Sequence, residues 1–261
     1  MSDDSQNMNL EFVEEGLQLV SKAEQRGIQL RILGSIAYRI QCPNNLELFD
    51  SMARVLTDVD FAGLKSQNQA IREFFMGQGY NPDEGVYVAS EGARHIYLHP
   101  KTNLNIDVFT DELYFCHRIP FIGRLEIDTP TISTTDLLLE KMQIVEINIK
   151  DFKDTLVLML EHPLGSKVEG NKTIDTDYIC NIMSNDWGFY HTFTTNLKRV
   201  PEYLKEFPTI TKNQGEVIRS RVQDLLNTIE AAPKSMKWKL RSKIGTRAIW
   251  YQEVAEKSAQ F

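Results

Sequence analysis

Apolar positions at Leu10, Val13, Leu17 and Val20 recur at the spacing of one helix face, and Arg26 with Gly27 reads as a stop. A helix is therefore predicted over 10–26, after a frayed start over residues 1–8. Residues 28–33 alternate and are β-branched, which predicts a strand, followed by a helix over 35–41. A second strand is predicted over 57–62. Helical spacing returns through Ala70, Ile71, Phe74 and Phe75 and stops at Gly77 and Gly79. Two short apolar runs, 86–89 and 95–98, flank a loop containing Gly92, the signature of a hairpin. Further strands are predicted over 105–109 and 124–128. From Ser133 the pattern is helical almost to the end, punctuated by Pro163, Pro201, Pro208 and Pro233. The predicted fold class is α+β: a short mixed sheet flanked by helices in residues 1–130, then a helical domain in residues 131–261.

Composition narrows the setting. The 261 residues are 42% hydrophobic and 25% charged, the proportions of an ordinary globular chain. The densest apolar run, 154–160, is far too short for a bilayer and ends in Glu161, so no membrane partner is expected. The first residues are acidic and polar, the reverse of a secretory leader's order. Cys42, Cys116 and Cys180 cannot all pair and show no metal spacing, so a reducing cytoplasm is the expected compartment. A net charge of −7 argues against attraction of the whole surface to nucleic acid, though a local basic patch could act alone.

The chemistry concentrates in three aspartates. Asp58 and Asp60 are two residues apart on a predicted strand, so they share one face while Val59 and Phe61 face the core. Asp107 sits between Ile106 and Val108 in the same alternation. Three carboxylates on one sheet face form a hard oxygen set suited to Mg²⁺ and a triphosphate. Left unneutralised, such like charges cost free energy. Gly34 and Ser35 follow an apolar strand, and their backbone N–H groups could meet phosphates at a helix start.

In this order the motifs resemble the DNA-polymerase-β-like nucleotidyltransferases, and more narrowly the abortive-infection type that includes bacterial toxin components. The resemblance is carried by the stretches 33–38, 54–61 and 106–109, then 134–141 leading to 150–154. It implies that Gly34 and Ser35 hold the triphosphate and that Asp58 and Asp60 bind metal, two Mg²⁺ ions in all. It implies that Asp107 completes the catalytic site and that Lys141 and Lys150 support the nucleotide. Two departures stand out: the spacing from Gly34 to Asp58 exceeds that of the superfamily's minimal members, and the first motif continues Ser35, Ile36, Ala37, Tyr38 where toxin-like members have Gly-Gly-Thr-Ala.

Several residues have plainer readings. Arg54 is expected in a structural ion pair, with Asp58 within reach. Lys150 and Asp154 are spaced to pair on one helix face. His95 and His99 would lie too far apart along a strand to share an ion. The stretch 234–247 interleaves Lys234, Lys237, Lys239, Arg241, Lys243 and Arg247 with Trp238. It reads as an amphipathic helix burying Trp238, Leu240 and Ile244, or else as a patch for an RNA acceptor. The expected activity is transfer of a nucleoside monophosphate from a nucleoside triphosphate to an acceptor hydroxyl. The alternative is a catalytically inactive nucleotide-binding or protein-interaction module of the same fold.

Overall fold

The computed structural model describes residues 3–166 and 172–253. The chain begins with α1 (Asp3–Glu24), β1 (Arg31–Leu33), α2 (Gly34–Gln41), α3 (Leu46–Ser51), β2 (Val59–Gly63) and α4 (Asn68–Gly77). It continues with β3 (Asn81–Pro82), α5 (Glu84–Ala89), β4 (Arg94–Leu98), β5 (Asn105–Thr110), β6 (Glu112–Tyr114) and β7 (Arg118–Pro120). The helical part comprises α6 (Thr134–Met142), α7 (Ile149–Glu161), α8 (Thr176–Asn185), α9 (Trp187–Arg199), α10 (Lys212–Ala231) and α11 (Met236–Ile244). A two-strand ladder, β8 (Leu164–Gly165) with β9 (Ile174–Asp175), interrupts it between α7 and α8.

The main sheet has five strands in the order β1-β2-β5-β4-β3. The central pair β2 and β5 is parallel and every other pairing is antiparallel. The alternation in β2 is as the sequence predicts: Val59 and Phe61 are fully buried and Asp60 is half-buried. Helices flank the sheet, and a mixed α+β fold with a helical C-terminal region results. One continuous apolar cluster joins Ile32, Phe61 and Val108 of the sheet to Leu138, Phe152 and Phe193 of the helices. A polar seam reinforces that join: the Tyr38 hydroxyl donates to the Leu137 carbonyl at 2.6 Å.

Several elements differ from expectation. Residues 86–89 form the end of helix α5, because Asp83 caps it by accepting the Val86 N–H at 3.0 Å. The edge of β4 that a hairpin would occupy is taken by β3. Residues 124–128 form turns, with the Ile127 N–H closing on the Arg124 carbonyl at 3.1 Å. The hairpin of β6 and β7 replaces that strand. Helix α1 already runs from Asp3, while residues 1–2 and 254–261 of the expected frayed start and helical end lie outside the described residues.

Two contacts also change partner. Arg54 binds Asp154, not Asp58, through two bonds of 2.9 and 3.0 Å. That leaves Lys150 exposed without the expected Asp154 pairing. Helix α11 has no buried residue: Leu240 is 60% and Ile244 47% exposed, so the expected buried stripe does not form. Among the described residues no helix is long and apolar enough to cross a membrane.

Candidate active site

Asp60 lies at the centre of the arrangement because its strand does. In register it faces Leu33 of β1 on one side and Asp107 of β5 on the other. Asp58, just before β2, is half-buried and accepts a hydrogen bond from the Thr57 hydroxyl at 3.1 Å. All three aspartates line one cleft of about 240 Å³, together with Arg94, Glu140 and Lys141. Four carboxylates therefore face two cations.

The consequence is electrostatic. The Asp60 carboxyl is pushed well above the usual carboxylate range, first by burial and then by Asp58, Asp107 and Glu140. Arg94 grips Asp107 with its guanidinium, Nε standing 3.0 Å from both carboxylate oxygens. That hydrogen bonding raises the Arg94 guanidinium further, against the effect of burial.

The turn from β1 into α2 packs directly on Asp60. Gly34 has φ +69°, a left-handed conformation, and an added Cβ would collide with the Asp60 carboxylate oxygen. The Gly34 N–H donates to Glu140 at 3.0 Å. Ser35, next along, is buried in the first turn of α2 and does not line the cleft.

Beneath the cleft lies a buried charge network. Lys141 stands 3.3 Å from Glu140, 3.4 Å from Asp151 and 3.7 Å from Asp154, which in turn holds Arg54. Burial alone would lower the Lys141 ammonium, but Glu140, Asp151 and Asp154 together raise it. Burial keeps the Glu140 carboxyl raised despite Lys141 and the Gly34 N–H.

Of the residues singled out from sequence, Asp58, Asp60, Asp107 and Lys141 meet in the cleft, and Gly34 abuts it. Lys150 is exposed at the start of α7 and does not line it. Arg94 and Glu140 were missed. The first is a cation opening an alternating strand, and the second is an acid following the apolar run 137–139, so each carried a faint signal.

The donor set of hard carboxylate oxygens fits a divalent cation such as Mg²⁺. As the side chains stand, Arg94 engages Asp107, and no group of three His, Cys, Asp or Glu among the described residues is arranged around a metal position.

No family model and no curated protein matches the chain. Among solved structures it is similar to an antigenic nucleotidyltransferase-like protein from Paracoccidioides brasiliensis. The two share 11% identity at a TM-score of 0.38, over 90% of this chain and 96% of that one. So slight a likeness carries no residue's role.

Proposed function

We propose that the cleft performs metal-dependent nucleotidyl transfer. The observation that carries the proposal is the surplus of carboxylates, Asp58, Asp60, Asp107 and Glu140, over cations in one cleft beside the Gly34 turn. A surplus of this kind is unfavourable, and bound divalent cations would relieve it and offset the charge of a triphosphate. Asp58 and Asp60 would hold Mg²⁺, with Asp107 joining them once Arg94 turns to the triphosphate. Bound Mg²⁺ would supply charge neutralisation and alignment for in-line displacement.

In the reaction, an acceptor hydroxyl oxygen attacks the α-phosphorus. The bond from that phosphorus to the α–β bridging oxygen breaks, and pyrophosphate leaves. The hydroxyl proton passes to Asp107 or to water. Lys141 would act by holding Glu140, and the Gly34 N–H that now donates to Glu140 would turn to the phosphates. Lys150, exposed on α7 outside the cleft, has no role in this reading. The abortive-infection type and a cytoplasmic setting belong to this reading.

The inactive nucleotide-binding or protein-interaction module is supported by two contacts of its own. Arg94 occupies Asp107, and Glu140 occupies the Gly34 N–H. One experiment separates the readings. The protein is incubated with each α-labelled nucleoside triphosphate, Mg²⁺ and total RNA, and nucleotide binding is measured in parallel by calorimetry. Label on an acceptor that disappears in Asp60→Asn supports the transferase. Binding without label supports the inactive nucleotide-binding module. Neither label nor binding overturns both forms of nucleotide use and leaves the protein-interaction module.

A further inference from the structure

We infer that a second groove, at α11, binds a single-stranded nucleic acid and leads its end to the cleft as the acceptor. The groove encloses about 810 Å³ between α11, the segment after it, the start of α9 and the β6–β7 hairpin. Trp187, Trp238 and Trp250, all three tryptophans of the chain, line it. So do Lys237 and Arg118.

Positive charge prevails here: Arg118, Lys237 and Arg241 line the groove against one acid, Asp186. Between residues 231 and 252 there are six basic residues and no acidic one, in a chain whose net charge is −7. Lys237, Lys239, Lys243 and Arg247 are exposed. Arg241 is committed to structure, stacking 4.8 Å from the Trp187 ring and donating to the carbonyls of Gly245 and Ala248.

Apolar surface remains open beside the charges: Leu240 is 60% and Ile249 73% exposed. A basic rim over aromatic and apolar walls is the chemistry that holds phosphates outside and stacks bases within. Trp187 is buried, its ring covered by His191 and Arg241, so the half-buried Trp238 and Trp250 are the rings left to meet bases.

The groove also adjoins other depressions. It shares Cys116 and Tyr251 with a second hollow of about 450 Å³, and that hollow shares Phe115 and Ile144 with the carboxylate cleft. The three depressions adjoin in series, from α11 to Asp60. Delivery of an acceptor end along them rests on the nucleotidyl-transfer reading, whereas binding in the groove does not.

The test uses the full chain and fluorescent 20-mers of oligo(U), oligo(dT) and duplex RNA, followed by anisotropy across a salt series. Single strands are expected to bind more tightly than duplex. Replacing Lys237, Lys239, Lys243 and Arg247 by Gln should cut affinity at least tenfold. It should also lower the salt slope by about 3, from roughly 0.7 per phosphate contact. Leu240→Asp, on an exposed position, should weaken binding with its fold intact by circular dichroism. A photoreactive thiouridine at the 3′ end should cross-link near Phe115 or Ile144, and one at mid-strand near Trp238 or Trp250.

Unchanged affinity in the four-Gln protein overturns the groove. So does tighter binding of anionic lipid vesicles than of any oligonucleotide with the same dependence on the four cations. Cross-links at the 3′ end confined to α11 overturn the track. Oligonucleotide binding and end cross-linking without label transfer leave the groove standing and remove the transferase reading instead.

Discussion

At the scale of single residues, Asp60 is the most informative position. Its carboxyl is raised by burial and by three neighbouring acids, so folding favours its protonated form. A raised group contributes stability that is present below its unfolded value, near 3.8, and is lost as pH rises through the folded value. Asp60→Asn should therefore melt higher than the parent at pH 7 without metal, and the gain should vanish below pH about 4. Added Mg²⁺ should raise the parent's melting temperature and leave the variant's unchanged. Equal melts at pH 7 would mean that Asp60 is already compensated. Gly34 gives a complementary test. Gly34→Ala forces a left-handed backbone costing roughly 1–2 kcal/mol and drives a methyl into the Asp60 carboxylate. It should lose stability in urea melts and nucleotide binding together, and a neutral result would show that Asp60 moves aside freely. Asp58, Asp60 and Asp107 were legible because strand alternation puts them on one face. Arg94 and Glu140 were not, since their importance lies in cross-strand and helix-to-turn neighbours that spacing along a chain does not encode.

At the scale of elements, the sheet's centre was legible and its edge was not. Strands β2 and β5 are buried on the core face and announce themselves by period-two alternation. The run at 86–89 is also rich in β-branched and aromatic residues, yet Asp83 accepts the Val86 N–H and starts a helix. A single capping bond outweighs weak strand propensity where the run stays near the surface: Val88 is 71% exposed. Helices α6 and α7 were legible as helices, but their fastening to the segment before β2 was not. That fastening is the Arg54–Asp154 pair, in which Asp154 is fully buried and keeps only Lys141, at 3.7 Å, if Arg54 is removed. Arg54→Leu should cost about 3–5 kcal/mol in denaturant unfolding, the range for stranding a buried charge. The double change Arg54→Leu with Asp154→Leu should recover part of it. A loss under about 1 kcal/mol in the single variant would show that Lys141 alone satisfies Asp154.

At the scale of the whole molecule, the change from sheet to helices near residue 130 suggested two domains from sequence. Whether that change divides the folding of the chain depends on what crosses it. The apolar cluster runs unbroken from Leu30 and Phe61 to Leu156 and Leu197, and Tyr38, Gly34 and Arg54 each bond to α6 or α7. Cutting the chain at 130 would expose that shared apolar surface on both sides and leave Asp154 without Arg54. The two parts are therefore expected to unfold together. All three tryptophans lie beyond residue 186, so their fluorescence reports the helical part and the β6–β7 hairpin beside it. Amide exchange at Phe61 and Val108 reports the sheet. Urea transitions followed by the two probes should coincide in midpoint, the mark of one cooperative unit. A fragment of residues 131–261 should show no cooperative transition of its own. If fluorescence instead reports a separate transition while the amides of Phe61 and Val108 stay protected, the boundary near 130 is a true domain boundary. The cleft at Asp60 would then lie against a surface that can detach, because Glu140 and Lys141 come from the helical side.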